Sequence, residues 1–448
     1  MGTAWNYALN CQQQYNLLLM QYTTEMRSYQ TLLCASFITT KQLIWQTIFP
    51  EAKAMFSLYN PVAKVRFSMQ LRVIFWFKLL IFAAIGAGLP VLAQTVPIRP
   101  LIVYYNSATP ENHWWRTSSE IMQAACDNLG MRLKVVYVDR DHLKMVEDFK
   151  AMANGPGRPD AVVFQSLKQN GPDMLKVAEQ AKIPAFIFNA GLTAGQTAQY
   201  GGPRQHFKYW IGQMLPNDRT AGYDLAMTLL RQAQSLGLAD TDGKVRFIAI
   251  NGTPSDGASI ERAAGLALAA RQKPDMILQQ TVSAHWARDK GKTVFLGLAE
   301  RYPKTTVVWA ANDLMALGVL DGMQERHIMP GEKMLVGSID WVPDALQEVS
   351  HKRMVTTLGG HFMETAWVAV LLYDYFQNKD FVAESTRFKS EMTALSNTAS
   401  TVYLEKFKPE NFAKIDFRRF SKALHPERTE YRFSFKQVME QLSPPARK

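Results

Sequence analysis

The residues of this chain able to do chemistry stand just after short apolar runs. Asn106 to Trp115 reads Asn-Ser-Ala-Thr-Pro-Glu-Asn-His-Trp-Trp, and Gln165-Ser166 and Asn189 close two further runs. Asn251-Gly252-Thr253-Pro254 leads on to Glu261-Arg262, and Ala311-Asn312-Asp313 and Ser338-Ile339-Asp340-Trp341 follow two more. Amides, a carboxylate and a guanidinium suit a neutral hydroxylated molecule, because a carboxylate accepts and a guanidinium donates in fixed fork geometry. The adjacent Trp114 and Trp115 offer aromatic planes on which the apolar face of a sugar-like ring can stack. Each residue also has a plainer reading. Either tryptophan alone could pack in the core, Asn312 and Asp313 could cap the helix that follows them, and Arg262 could be a solvated helix residue.

Signatures of catalysis fail. Gly291-Lys292-Thr293 imitates the end of a phosphate-binding loop, but Trp286 stands where that loop needs its first glycine. Neither Gly-x-Gly-x-x-Gly nor Gly-x-Ser-x-Gly occurs after residue 93, and no His-x-x-x-His pair offers a helical zinc face. Of the three cysteines, only Cys126 lies beyond residue 93, among Ile121, Met122, Ala125 and Leu129 at helical spacing. It reads as a small buried hydrophobe, and thiolate metal sites and an intrachain disulfide are excluded there. No catalytic residue, metal or cofactor is expected; a hydrolase or transferase working in a cleft is the alternative of another class.

Residues 1–93 carry 7 of the 50 basic and 2 of the 39 acidic residues, so the chain from Gln94 onward is only mildly basic. Its Lys and Arg form no block with interleaved aromatics, which argues against nucleic acid as a partner.

The elements that would position these groups alternate almost without interruption. Strands are predicted at Leu101–Tyr105, Leu133–Val138, Ala161–Gln165, Ala185–Asn189, Tyr209–Gly212, Val245–Ile250, Met276–Thr281, Thr306–Ala310, Met334–Ile339 and Met354–Leu358. Helical periods fill the intervals at 116–129, 141–152, 172–181, 217–236, 256–271, 286–301, 312–325 and 361–377. Strands apolar on both faces that alternate with helices imply parallel sheets covered on both sides. So many strands make two sheets of about five, each doubly wound. Ligands of open α/β sheets sit beyond the carboxyl ends of the strands, so two such sheets facing each other enclose a cleft.

Residues 69–93 carry the pattern of a secretory signal peptide. Met69, Arg72 and Lys78 precede an apolar run from Leu79 to Leu89, Pro90 breaks it, and Val91-Leu92-Ala93 stands before Gln94. Cleavage after Ala93 would export the chain from Gln94 to Lys448. The alternative is a membrane anchor, since Val73 to Ala93 approaches the ~20 residues of a span. Translation from Met69 would place residues 1–68 outside the working protein. That prefix, with Gln12–Gln14, Cys11 and Cys34, contains no helix-turn-helix pattern.

The ordered set of motifs resembles the type I, ribose-binding-like periplasmic sugar-binding proteins over roughly residues 99–380. Asn-x-Trp-Trp after the first strand, Arg262 with a glycine three residues later, Ala-Asn-Asp-Leu-Met-Ala-Leu-Gly and Gly-Ser-Ile-Asp carry the likeness most specifically. The resemblance implies two doubly wound lobes, a three-strand hinge and a small hydroxylated, sugar-like ligand trapped between them. Asn112, Trp114, Trp115, Gln165, Asn189, Arg262, Asn312 and Asp340 would contact it. The chain departs from the pentose and hexose binders at Asn189-Ala190, where they place Asp-Arg, and at Gly359-Gly360-His361, where they place an amide. His361 stands where it could substitute for that amide, and the ligand is expected not to be ribose itself. The partner would be a membrane ABC permease or a sensor kinase, the location the periplasm, and the protein a monomer. The domains then read as an extension at 1–68, a signal peptide at 69–93, lobe 1 from 97–207 plus 360–385, lobe 2 from 208–359 plus 386–405, and a C-terminal surface extension at 406–448. A further hinge strand is expected at Ser400–Leu404.

Overall fold

The computed structural model describes residues 99–443, so the signal-like segment 69–93 and the prefix 1–68 lie outside the described residues. Among the described residues no helix is long and apolar enough to cross a membrane. β3 (Ala161–Phe164) and β4 (Ala185–Phe188) are buried at every position, which is what helices on both faces of a sheet impose. They lie inside a six-stranded parallel sheet with β1 (Leu101–Asn106), β2 (Arg132–Tyr137), β5 (Trp210–Pro216) and β11 (Arg387–Ser390). Its order is β11-β5-β4-β3-β1-β2. The second sheet holds β6 (Val245–Asn251), β7 (Met276–Ser283), β8 (Val307–Ala310), β9 (Leu335–Ile339), β10 (Thr356–Gly359) and β12 (Thr393–Ala394). Its order is β12-β10-β9-β8-β6-β7, parallel except for β12, which runs antiparallel to β10. The fold is two parallel-sheet α/β domains, as the alternation of strands and helices requires.

The chain passes between the sheets at Pro216–Asp218, Gly359–His361 and Ser390–Thr393. This corrects the expected boundaries. Residues 208–216 belong with the first sheet, because β5 runs on through Gly212 to Pro216. A Cβ at Gly212 would stand 2.7 Å from Phe186 and 2.9 Å from Phe381, so that glycine admits two rings against a continuing strand rather than ending it. Residues 387–390 likewise join the first sheet beside β5. The expected hinge strand at Ser400–Leu404 lies instead within a helix, Asn397–Lys406, whose first turn is capped by Ser396 Oγ accepting from Ala399 N at 3.4 Å.

The residues beyond 405, expected on the surface, contribute to the core. Phe407, Phe412, Phe417 and Phe420 are buried with Trp367 in the first lobe. Asp374, fully buried, clasps this segment by accepting from Ser421 Oγ, from Lys422 N at 2.6 Å, from Ala423 N at 3.2 Å and from the Tyr431 hydroxyl at 2.8 Å.

In the second lobe, helices Asp218–Ser235 and Gly257–Gln272 touch backbone to backbone. A Cβ on Gly222 would come within 2.1 Å of the Arg262 carbonyl oxygen, and one on Gly265 within 2.0 Å of that of Arg219. Gly291, which mimicked a phosphate loop, plays the same part in another helix pair, where a Cβ would stand 2.6 Å from the Met315 carbonyl. Gly265→Ala is therefore expected to lower stability by about 1–3 kcal/mol in urea unfolding through overpacking. Gly297→Ala, on a helix with nothing within 4 Å of the added methyl, should instead be neutral or stabilise by up to about 1 kcal/mol.

Candidate functional site

A cavity of about 360 Å³ opens between the carboxyl ends of the two sheets. The loop after β1 and the helix it starts bring Asn112, Trp114 and Trp115; the ends of β3 and β4 bring Gln165 and Asn189. From the other lobe come Arg262, Asn312 and Asp340, and the second crossover contributes His361. Each residue expected from the sequence to touch ligand lies on this wall.

The Arg262 guanidinium organises it. Only 3 % exposed, it donates from Nε to Asp218 Oδ1 at 2.8 Å and from Nη1 to the Ala311 carbonyl at 2.6 Å, and Nη1 reaches Asp340 Oδ1 at 3.4 Å. Nη2 lies 3.3 Å from His361 Nε2, so that nitrogen accepts and the imidazole is neutral. Burial opposes the guanidinium's charge, but Asp218 and Asp340 outweigh it and hold its pKa above the ordinary value. Burial pushes the carboxyls of Asp218 and Asp340 upward, and the guanidinium pulls them part of the way back. His361 is driven well below its usual pKa, first by burial and then by Arg262. Among the described residues its buried Nδ1 has no partner, and neither has the Trp114 indole nitrogen.

Two asparagines do double duty. Asn112 Oδ1 accepts from Trp115 N at 3.3 Å and Asn312 Oδ1 from Met315 N at 2.9 Å, so both cap helices while lining the cavity. Asp313 lies off the wall. Its carboxylate accepts from Ser338 Oγ, from Thr357 Oγ1 at 2.6 Å and from Val342 N at 2.6 Å, stapling the loop that carries Asp340. The tryptophans divide as well. Trp114 is buried, edge-on to Trp115 at 4.7 Å and 4.8 Å from the His361 ring, while Trp115 stays half-buried. Gln165 donates to Ser107 Oγ.

Strain collects on this wall. Arg140, Asn189, His285, Trp286 and Asp340 all carry positive φ, 58°, 58°, 52°, 68° and 140° respectively. Such conformations cost about 1–3 kcal/mol each and persist only where the surroundings impose them. Asn189 N is held by the Met214 carbonyl at 3.1 Å and Glu364 Oε2 at 2.9 Å, and Asp340 N by the Leu358 carbonyl at 2.6 Å.

Sequence reasoning missed three further wall residues. Arg140 Nη2 of the first lobe meets Asp256 Oδ2 of the second at 2.9 Å, an ion pair that bridges the cleft. The same oxygen accepts from Trp286 Nε1 at 2.8 Å, and Trp286 lies under the Arg262 guanidinium at 5.8 Å. Trp286 follows β7 by a short turn, so the strand-end rule would have found it had that strand been read to Ser283.

A family model described as periplasmic binding protein domain matches residues 102–380. The galactofuranose-binding protein YtfQ of Escherichia coli is 24% identical over 277 residues, spanning 60% of this chain and 79% of that protein. The ribose import binding protein RbsB of Bacillus subtilis is 34% identical over 232 residues, 51% of this chain and 66% of its own. Among solved structures, a periplasmic sugar-binding protein from Pseudomonas fluorescens superposes with a TM-score of 0.68 at 27% identity, covering 76% of this chain and 99% of that one.

The buried neutral imidazole sets a pH dependence. In the unfolded chain His361 takes up a proton as pH falls through about 6.5, while in the folded chain its lowered pKa keeps it neutral. Stability is thus lost on the acid side. Between pH 7.5 and 5.5 the native protein should lose roughly 1.4 kcal/mol more stability than His361→Gln, measured by urea unfolding at both values.

Proposed function

The chain belongs to the type I, ribose-binding-like periplasmic binding proteins, a family of solute-binding proteins, and on that premise we propose that it captures a small hydroxylated ligand, a sugar or sugar-like molecule, for delivery to an ABC importer. One observation carries this reading. Indole rings and amides on one lobe face a buried guanidinium and carboxylate on the other, across a cavity within the roughly 300–1,000 Å³ typical of small-molecule sites. The rings suit the apolar face of a sugar; Asp340, Arg262 and the amides suit its hydroxyls. The unpartnered His361 Nδ1 supplies a donor that a ring hydroxyl would satisfy, which fits a neutral ligand better than an acid. Import comes from the relatives, of which the Bacillus subtilis protein is an import binding protein by name.

Capture works by closure. A ligand touching both lobes favours the closed arrangement by its differential affinity for it. The Arg140–Asp256 pair adds a contact that exists only when the lobes meet. Because both side chains keep some solvent access, this contact is worth at most about 1 kcal/mol.

Export through segment 69–93 would place the protein in the periplasm, and mass spectrometry of the secreted form should then find Gln94 as the first residue. A thermal-shift screen of sugars and polyols is expected to give a hit that raises stability by about 2.7 kcal/mol at a hundredfold excess over its dissociation constant. With that ligand, small-angle scattering should show compaction of the native protein. Asp340→Ala should stay folded yet fail to compact, and persistent compaction would remove Asp340 from the site. Arg140→Ala should release the ligand up to about fivefold faster in stopped-flow tryptophan fluorescence, with the association rate little changed.

A further inference from the structure

A second cavity, of about 730 Å³, shares no lining residue with the cleft. Two of the three passages between the lobes border it, through Gly359-Gly360 and through Ser390, Glu391 and Thr393, and Met214 of β5 adds to the same wall. Trp341 and Trp367 form part of its wall, and Tyr403, Phe433 and Phe435 close it from the C-terminal segment. That segment lies beyond residue 380, where the family match ends. It is held over the hinge by the Asp374 clasp and by Phe433 stacking on Trp367 at 5.0 Å and 16°.

The hollow is open to solvent, with Val402 on its wall 38% exposed, and its aromatic lining is of the kind that concave small-molecule sites use. Its charged groups are more cationic than anionic. Lys389 and Lys436 stand on its rim, and neither forms an ion pair among the described residues. Glu391, exposed on the same wall, keeps its charge beside the neutral Asn217 amide 3.5 Å away, so the two ammonium groups outnumber one carboxylate there. Aromatic walls with two free ammonium groups complement a body that is apolar and an end that is anionic.

We propose that this hinge-side cavity is a second binding site, for a small amphipathic anion: an aromatic or apolar body bearing a carboxylate or sulfonate. The proposal stands apart from the sugar reading of the cleft, and the probe that tests it is not a sugar. The full chain is titrated with 8-anilinonaphthalene-1-sulfonate by calorimetry and by energy transfer from tryptophan. Saturable uptake of one dye per chain by the folded protein is expected. Val402→Trp, at a wall position 38% exposed in the native protein, should fill the hollow and weaken uptake at least tenfold with an unchanged melting temperature. The double variant Lys389→Gln, Lys436→Gln should weaken it about fivefold and remove its salt dependence. The proposal is overturned if uptake survives Val402→Trp, or if it is lost instead with Trp115→Ala, which would put the dye in the cleft. Absence of saturable uptake overturns it equally, whether a second copy covers the hollow, seen as a dimer in sedimentation, or the chain's own remaining residues fill it.

Discussion

A guanidinium taken almost wholly out of water is the constraint on which the second lobe is arranged. Desolvating such an ion costs several kcal/mol, which only close partners offset, and removing one partner of a buried pair costs about 3–5 kcal/mol. Arg262 finds Asp218, Asp340 and the Ala311 carbonyl. Each partner imposes a condition. Asp218 is within reach because two glycines let its helix lie against the helix of Arg262. Asp340 is aimed by a backbone conformation that Leu358 and the Asp313 staple enforce. The Ala311 carbonyl comes from the end of β8, just before Asn312 caps the next helix. A change in any of these would leave a charge short of partners.

The first lobe answers with indoles, amides and the Arg140 guanidinium, so the carboxylates of the wall, Asp256 and Asp340, lie on one side of the cleft. The crossover residue His361 joins the two, its ring 4.8 Å from Trp114 and its Nε2 3.3 Å from Arg262. Its neutrality follows from this placement, since a second cation beside Arg262 in a buried site would be repelled.

Much of this was legible in the sequence because fully buried strands write themselves as unbroken apolar runs. Once those runs are located, the residues that come after them fall at the cleft by the geometry of open α/β sheets. The rest had no local signal. Asp218 matters through Arg262, 44 positions away, and nothing around it distinguishes it from an acidic first turn. The four-residue β11, with alternating exposure, and the two-residue β12 are too short to show a period. Ser400–Leu404 reads as a strand by its Thr, Val and Tyr, yet Ser396 caps a helix there and Tyr403 packs into the first lobe. Asn312 reads in the sequence as either a cap or a wall residue and the structure makes it both, as it does Asn112, for which the sequence suggested only a wall role. The aromatic spacing of the last forty residues resembled a surface wrap because their burial depends on Trp367 and Asp374, far earlier in the chain.

The positive φ at Asn189 and Asp340 also bears on how this cleft could change its ligand over evolutionary time. β-Branched and bulky residues pay heavily for such conformations, whereas asparagine, aspartate and glycine tolerate them. Mutational drift at those positions is therefore confined to a narrow alphabet. Gln165 and Trp115, which carry no such backbone restriction, are where a lineage could trade one ligand for another while the frame around Arg262 stays as it is.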